Sequence, residues 1–286
     1  MHPRVSTGTL YIVATPIGNI DDISLRARNV LAEVDLIAAE DTRHTGRMLK
    51  HLGIKTRMIS CHEHNEAERS SQILEHMHSG GDVALVSDAG TPLLSDPGFQ
   101  LVRAAAGEGL CVSPVPGCSA AIAALSIAGL PTDSFSFEGF LPSSGAKRRV
   151  RLQELADRRA TVILYESVHR INATLDDITS VLGDSRQMVA ARELTKLHET
   201  VYRGTAVQVA EHIAADPGGA KGEYTLVIAG CPAAASETAE LDRTLKVLLG
   251  YLGVREAAEA AAKILDIRRN EAYERALELR ESGDKQ

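Results

Sequence analysis

Residues 82–98 read DVALVSDAGTPLLSDPG, and the fold is organised around this stretch. The apolar run 82–86 has no helical period, which is typical of a buried strand in a parallel sheet. Residues 99–106, FQLVRAAA, form a good helix sequence, with Ser95 or Asp96 as the predicted N-cap and Pro97 in the first turn. The stretch therefore predicts a strand, a loop and a helix, and ligands of open α/β sheets bind outside the carboxyl ends of such strands.

The composition of this loop restricts the ligand that it could bind. Its two glycines allow close backbone approach, and Pro92 and Pro97 stiffen it, so that little entropy is left to lose on binding. Asp88 and Asp96 supply two carboxylates, whereas a phosphate cradle needs the opposite charge. The loop suits a cationic or hydroxyl-bearing ligand. The alternative is an ordinary turn in which Asp96 caps the next helix.

Strand–loop–helix units recur through the first half of the chain. Apolar runs predict strands at 10–14, 35–39, 57–61, 82–86 and 110–113. A helix is predicted from Asp21 to about Glu33, and others follow the later strands. This pattern predicts a mostly parallel sheet. A GxGxxG fingerprint is absent after the first strand, which disfavours a nucleotide-dependent oxidoreductase.

Polar side chains follow two of these strands. Glu40, Asp41, Arg43 and His44 come directly after the second strand and are candidates for function, although Asp41 or Thr42 could also serve only as a helix cap. The segment 62–66, HEHNE, follows the third strand. It lacks a third ligand at a known metal spacing, and Asn65 or Glu66 is needed as a cap, so we predict no metal site.

The second half of the chain has a different pattern. Residues 125–133 predict a hinge, and residues 135–140 alternate as a half-buried strand. The later predicted strands, at 161–165, 187–191, 201–204 and 222–230, are not all separated by helices. We therefore expect a mixed sheet, with the strand at 201–204 pairing antiparallel.

A basic segment lies between the first two of these strands. Residues 145–159 carry six basic and two acidic side chains, a net charge of +4 in a chain of −7. Lys147, Arg148, Arg149 and Arg151 are therefore the candidates for contact with nucleic-acid phosphates. A solvated helix face is the alternative.

The tail predicts three helices after a small-residue linker at 233–238. The first carries Leu241, Leu245, Leu248 and Leu249, and the others span 255–265 and 271–279. A turn at Gly253 allows a helix-turn-helix-like unit, but a stacking or dimer contact would look the same. The charges of the tail nearly cancel, which supports groove binding only weakly.

The composition indicates the broad class of protein. The 286 residues are 44% hydrophobic and 24% charged, which is typical of a globular protein of two or three domains. The four cysteines form no CxxC pair, which argues against structural zinc or a disulfide framework and fits a reducing cytoplasm. We recognise no signal peptide, and the longest weakly polar run, 118–130, is too short to span a bilayer.

Four motifs occur in an order that resembles a known family. Residues 15–19 (TPIGN), 40–43 (EDTR), 87–92 (SDAGTP) and 114–120 (PVPGCSA) resemble the tetrapyrrole methylases. With residues 167–170 (SVHR), the motifs look like one branch of that family, which methylates a cytidine ribose 2′-hydroxyl in small-subunit ribosomal RNA. The resemblance implies S-adenosylmethionine as cofactor, ribosomal RNA or the assembled small subunit as partner, and a homodimer. A small-molecule tetrapyrrole methyltransferase and a non-catalytic RNA-binding scaffold are the rival interpretations.

The resemblance also implies an organisation and a cofactor site. The expected fold is a two-domain α/β fold of the tetrapyrrole-methylase type, with a parallel domain at 1–130, a mixed-sheet domain at 131–232 and a helical unit at 237–286. The cofactor is expected in the cleft between the two domains. The expected cofactor-binding residues are Pro16, Gly18, Asp88, Ala89, Gly90, Pro92, Asp96, Pro116, Gly117, Ser119, Ala120, Phe140, Leu141, Ala190, Arg192, Glu193, Leu194, Gly222, Glu223 and Thr225.

The chemistry of this reaction calls for a proton acceptor. A protonated ribose hydroxyl is a poor nucleophile, and a nearby base would accelerate its attack on the order of 100-fold or more. The candidates are Glu40, Asp41, His44, Glu166 and His169, and Glu193 is a further one. Of these, the cluster of Glu40, Asp41 and His44 is favoured, with Arg43 placing a phosphate.

Overall fold

The computed structural model describes residues 7–283, and the side chains of 233–236 and 281–283 are not considered. Ten strands and eleven α-helices are assigned within this range. The strands form two five-stranded sheets, and the last three helices follow the second sheet.

The first sheet is entirely parallel, as predicted. Its strands lie in the order β3-β2-β4-β1-β5, and β4 therefore lies at the centre. The strands are β1 (Thr9–Val13), β2 (Leu36–Ala39), β3 (Met58–Ser60), β4 (Val83–Val86) and β5 (Cys111–Val115). The helices that follow them are α1 (Leu25–Glu33), α2 (Thr42–Leu52), α3 (Glu66–His78), α4 (Phe99–Gly107) and α5 (Ala120–Ala128). Because all strands run the same way, the loops after them meet at one edge of the sheet.

The second sheet is mixed, also as predicted. Its order is β6-β7-β10-β8-β9, and only β6 and β7 are parallel. Its strands are β6 (Phe135–Phe140), β7 (Thr161–Ser167), β8 (Gln187–Arg192), β9 (Thr200–Thr205) and β10 (Glu223–Ile228). The helices α6 (Gly145–Ala156), α7 (Ile171–Leu182) and α8 (Ala206–Ala215) belong to this half.

Helix α5 joins the two halves. It follows the first sheet in sequence, but its buried residues Ala124 and Leu125 pack with Ile163 and Val227 of the second sheet. The opposite face of the second sheet forms a separate core, in which Leu164 and Leu226 pack with residues of α6, α7 and α8. The second sheet is thus covered on both faces.

The start of helix α4 differs from the prediction. The N-cap is Gly98, at φ +120°, and not Ser95 or Asp96. The Glu66 carboxylate, from the start of α3, instead accepts hydrogen bonds from the backbone N–H groups of Gln100 at 2.8 Å and Leu101 at 3.2 Å. A distant side chain therefore satisfies the free amides of this helix.

Two other predicted element bounds are also wrong. The helix expected from Asp21 is a short 3-10 turn at Ile20–Asp22, and α1 begins only at Leu25, because the Ser24 side chain accepts from the N–H of Ala27. The linker expected at 233–238 lies within α9 (Ala233–Leu249). Its alanines have the highest helix propensity of all residues.

The remaining helices are α10 (Val254–Leu265) and α11 (Arg269–Gly283). They pack with α9 around a small core that includes Leu245, Ala258 and Ala276. Among the described residues, none of the helices is long and apolar enough to cross a membrane.

Candidate functional site

Three loops at the carboxyl edge of the first sheet are hydrogen-bonded to one another. Thr15, after β1, exchanges two backbone hydrogen bonds with Gly90, after β4, at 2.9 and 3.0 Å. The Thr91 hydroxyl donates to the carbonyl of Cys118, after β5, at 2.9 Å. At Gly90 a φ of +80° favours glycine, and an added Cβ would lie 3.3 Å from Ile17. The loops therefore form one rigid surface.

A fourth loop joins this surface through carboxylates. Glu40, after β2, accepts from the backbone N–H of Asp88 at 3.1 Å, and Asp88 accepts from the backbone N–H of Asp41 at 3.1 Å. Burial raises the pKa of Glu40, and the hydrogen bond from Asp88 partly offsets this. These two acids fix the loops after β2 and β4 relative to each other.

A cavity of about 280 Å³ lies between these loops and the second sheet, and we call it the inter-sheet cavity. From the first half it is lined by Ile17, Ala89, Gly90, Thr91, Leu94, Ser95, Asp96 and Ala120. From the second half it is lined by Phe140, Tyr165, Glu166, Ser167, Ala191, Leu194, Lys196, Glu223, Tyr224 and Thr225. Its walls combine apolar side chains with a few polar groups, as ligand pockets usually do.

The backbone around this cavity is strained. Ser95 and Leu93 have φ values of +72° and +75°, and Glu193 and Thr195 have φ values of +52° and +64°. Such conformations are unfavourable for residues with a side chain and concentrate at functional sites. The two strained segments come from different halves of the chain, and both contribute lining residues.

Close contacts join the two halves beside the cavity. A Cβ added to Gly139, in the bulge of β6, would lie 2.7 Å from the Ser95 hydroxyl oxygen. A Cβ added to Gly18 would lie 2.4 Å from the Lys196 side chain. These glycines allow the loops of the first sheet to approach the second sheet closely.

The predicted catalytic residues lie in different environments. Glu166 is buried, and its carboxylate accepts from the backbone N–H of Ser167 at 2.8 Å, from Arg170 at 3.0 Å and from the Thr174 hydroxyl at 2.6 Å. It lines the cavity, but its oxygens are occupied by these donors. His169 is exposed and lies in the turn before α7.

Only one residue of the predicted cluster at 40–44 lines a cavity. Asp41 caps α2, and the guanidinium of Arg43 donates to it at 2.7 and 3.1 Å. These hydrogen bonds hold the pKa of Asp41 well below its usual value. His44 is exposed. Glu40 alone of this cluster lines a second cavity, which adjoins the first.

Asp96 has the most strongly shifted carboxylate of the cavity lining. Its pKa is raised to about 6, mainly by burial and in part by the nearby charges of Glu40 and Asp88, while contact with the Ser87 side chain offsets some of this. A half-buried carboxylate of this kind binds cations or hydroxyl groups and can exchange a proton near neutral pH.

The predicted cofactor contacts divide into two groups. Those that line the inter-sheet cavity are Ala89, Gly90, Asp96, Ala120, Phe140, Leu194, Glu223 and Thr225. Those outside the lining are Pro16, Gly18, Asp88, Pro92, Pro116, Gly117, Ser119, Leu141, Ala190, Arg192, Glu193 and Gly222.

Several residues of the second group support the fold. Arg192 is buried and donates to the carbonyl of Gly218 at 2.6 Å, and Ala190 lies in the core of the second sheet. Sequence reasoning also missed Leu94, Tyr165 and Lys196, which line the cavity. Tyr165 stands near the carboxyl end of β7, and this position was the available signal.

The basic segment is largely neutralised by acids. Arg148 is buried and pairs with Asp177, which also pairs with Arg149 at 3.1 Å. Arg151 pairs with Glu138. Lys147 is exposed and has no ion pair among the described side chains. The free positive charge of this segment is therefore smaller than its composition indicates.

The cavity fits the chemistry of S-adenosylmethionine. That molecule carries cationic groups and a ribose, and the lining offers the Glu223 carboxylate and aromatic faces from Phe140 and Tyr165. Beside Ala120, the Ser119 hydroxyl is buried with no hydrogen-bond partner among the described residues, which leaves a polar group for a ligand.

The fold and this cleft define a class of protein. Residues 9–210 match the family profile of the tetrapyrrole (corrin/porphyrin) methylases, and the chain belongs to this family. Solved structures show the same fold: the methyltransferase CobJ has a TM-score of 0.58 at 18% identity, covering 79% of this chain and 95% of its own. The cobalt precorrin-4 methyltransferase CbiF has a TM-score of 0.55 at 18% identity, covering 82% and 99%. The predicted fold class is confirmed.

Relatives of similar length define a branch within this family. A Pseudomonas aeruginosa protein named ribosomal RNA small subunit methyltransferase I is 49% identical over 96% of this chain and 98% of its own. An Escherichia coli O157:H7 protein of the same name is 47% identical over 96% of both chains. Residues 235–280 match the profile described as the RsmI C-terminal HTH domain. The resemblance seen in the motifs is confirmed.

Proposed function

We propose that this chain transfers the methyl group of S-adenosylmethionine to the 2′-hydroxyl of a cytidine ribose in small-subunit ribosomal RNA. The observation that carries the proposal is the inter-sheet cavity, where strained loops from both halves converge on a site of suitable chemistry. The names of the near-full-length relatives support ribosomal RNA as the substrate class.

The cavity residues have distinct roles in this proposal. The backbone of Ala89 and Gly90 and the side chains of Phe140, Tyr165 and Leu194 would hold the cofactor. When bound, S-adenosylmethionine supplies an electrophilic methyl group. The rigid loops supply alignment, which can be worth about 7–11 kcal/mol of the barrier.

RNA contact is proposed for exposed cations outside this cavity. Arg43 has an 84% exposed side chain and could exchange its partner Asp41 for a phosphate. Lys147 is exposed, and Arg149 and Arg151 are partly so. We leave Arg148 out of this surface because it is buried. The C-terminal helices would add a further RNA or partner contact.

The discriminating experiment offers labelled S-adenosylmethionine with three acceptors: small ribosomal subunits, free ribosomal RNA and porphyrinogens. We expect label in the RNA, at a cytidine ribose that resists alkaline cleavage on its 3′ side. Label in porphyrinogens alone would establish the alternative, a tetrapyrrole methyltransferase. RNA binding without methyl transfer to any acceptor would favour a scaffold.

We propose further that the chain acts as a homodimer in the cytoplasm. The family resemblance of the motifs supports this, and light scattering of the purified chain tests it. A monomer at micromolar concentration, with full activity on its acceptor, would contradict the homodimer.

A further inference from the structure

The second cavity adjoins the inter-sheet cavity at Asp96. It measures about 500 Å³, and Ser95 and Asp96 line both cavities. Its other walls are Glu40, His62, Glu63, His64, Glu66, Pro97, Phe99 and Gln100. Two ligands could therefore lie on either side of Asp96, one in each cavity.

Within the described residues, the carboxylate of Asp96 neither caps a helix nor accepts a backbone hydrogen bond. The sequence indicated a helix cap, but Glu66 performs this task for α4. Glu40, Asp88 and Glu166 each accept at least one backbone N–H group, whereas Asp96 accepts none among the described residues. Of these four acids near the cavities, Asp96 is the one that accepts no backbone hydrogen bond, and beside its contact with the Ser87 side chain its carboxylate has room for a ligand in either cavity.

Phe99 lines the second cavity and also a neighbouring groove that carries a cation. Phe99 begins α4 and is 64% exposed, which is unusual for a phenylalanine. Arg103 lies four residues later, and the two side chains line one shallow groove on the helix. Within the described part of the chain, no carboxylate pairs with Arg103. A ring and a free guanidinium at this spacing suit a base and its phosphate.

We propose that the second cavity seats the acceptor nucleotide, with its base against Phe99, its phosphate on Arg103 and its ribose hydroxyl at Asp96, which accepts the proton. This inference rests on the proposed function and adds to it an acceptor site and a base. It moves Asp96 from the cofactor contacts that the sequence predicted to the acceptor side.

The proposed step balances in atoms and charge. The bond from the methyl carbon to sulfur breaks as a bond from that carbon to the ribose oxygen forms. S-adenosylhomocysteine leaves as a neutral thioether, and the hydroxyl proton passes to the Asp96 carboxylate. The groups near Asp96 are Glu40 and Asp88 from the first sheet and Tyr165 from the second. The second cavity adds His62, Glu63, His64 and Glu66, and the inter-sheet cavity adds Glu166, Lys196 and Glu223.

These surroundings suit a base. Burial and the two neighbouring carboxylates raise the pKa of Asp96 to about 6, so that it is ionised at pH 7–8 and yet a stronger base than an ordinary carboxylate. The single-turnover rate of the wild-type protein should therefore fall as pH decreases through about 6.

The test of the base is Asp96→Asn, with Asp176→Asn on the exposed face of α7 as the matched control. We expect the single-turnover rate to fall about 100-fold or more in D96N. The affinity for S-adenosylmethionine, measured by calorimetry, should stay within about threefold, and the decrease near pH 6 should disappear. D176N should match the wild type. A D96N rate within threefold of the wild type, or a cofactor affinity weakened tenfold or more, overturns the proposal.

The test of the acceptor site is Phe99→Ala, with Phe135→Ala on β6 as the matched control. Loss of base stacking should weaken binding of the small subunit or its RNA about tenfold, and Phe99→Trp should restore it. Arg103→Ala should reduce the salt dependence of binding by about one phosphate contact. Unchanged binding and KM in both F99A and R103A overturn the acceptor site.

Failure of the inference and failure of the proposed function give different results. If the wild-type protein methylates none of the RNA acceptors, the proposed function fails. If it methylates RNA and the D96N, F99A and R103A variants do so equally well, only the inference fails.

Discussion

The Glu66 carboxylate caps helix α4 from outside, because its Oε1 atom accepts from the backbone N–H of Gln100 at 2.8 Å. The two residues are 34 positions apart in sequence and belong to consecutive helices of the first sheet. Because Glu66 caps the helix, Asp96 has no capping role, and a buried acid lies in the wall of the second cavity.

Removal of this cap should destabilise the protein. Glu66→Ala leaves the N–H groups of Gln100 and Leu101 without an acceptor, at a cost of about 2 kcal/mol in the free energy of unfolding. Glu66→Gln keeps an acceptor oxygen and should lose about half as much. Urea denaturation of both variants measures the difference, and equal stability of E66A and the wild type would contradict the capping role.

The contact between Gly139 and Ser95 should control cofactor affinity. Gly139→Ala forces a Cβ to within 2.7 Å of the Ser95 hydroxyl oxygen and should displace the strained loop. We expect S-adenosylmethionine to bind about tenfold more weakly, equal to 1.4 kcal/mol.

Gly129→Ala is the control for this substitution. Gly129 has a similar φ of +70°, but its added Cβ would meet nothing within 4 Å. In both variants the free energy of unfolding should decrease by about 1 kcal/mol, because alanine is unfavourable in a left-handed backbone conformation. Only G139A should bind S-adenosylmethionine more weakly. Equal cofactor affinities in calorimetry would exclude the close contact as the cause.

Glu166 should stabilise the fold more than it contributes to catalysis. Glu166→Ala leaves Arg170 and Thr174 without their shared acceptor and should cost about 3 kcal/mol, whereas Glu211→Ala, exposed on α8, should cost less than about 0.5 kcal/mol. The single-turnover rate of correctly folded Glu166→Gln should stay within tenfold of the wild type. A hundredfold loss of rate with unchanged stability would restore Glu166 as a catalytic candidate.

The basic segment should contain both residues that contact RNA and residues that form structural ion pairs. Lys147→Ala should weaken RNA binding and reduce the slope of log affinity against log salt by about 1. Arg148→Ala leaves Asp177 buried without its main partner and should cost about 3 kcal/mol of stability with little change in that slope. Identical salt slopes for K147A and the wild type would remove Lys147 from the RNA surface.

Stability should depend on pH through Asp96. Its pKa is raised from 3.8 to about 6 in the folded protein, so between these values the folded chain binds more protons than the unfolded chain. The free energy of unfolding therefore loses this contribution as pH rises from about 4 to 6. Asp96→Asn lacks the effect and should be more stable than the wild type above about pH 6, and denaturation at several pH values tests this. A constant difference between the two proteins from about pH 4 to 8 would contradict the shifted pKa.

The sequence by itself determined the order of the main elements and the location of the candidate site. Apolar runs and glycine–proline loops are local signals, and they predicted the parallel sheet, the mixed sheet and the loops at 87–98 and 114–119 that meet at one edge. The motifs identified the family, because several short patterns in a set order are specific even where each pattern alone is a weak signal.

Only the tertiary structure decided what individual side chains do. Whether Asp96 caps a helix, whether Arg148 meets solvent and whether Tyr165 lines the cavity all depend on partners far away in sequence, such as Glu66 and Asp177. The residue type alone does not reveal its role, since a carboxylate can accept hydrogen bonds from a backbone amide, an arginine or a ligand. The first two of these roles depend on contacts within one half of the chain, whereas the cavity lining depends on the packing of α5 against the second sheet, which brings the two halves together.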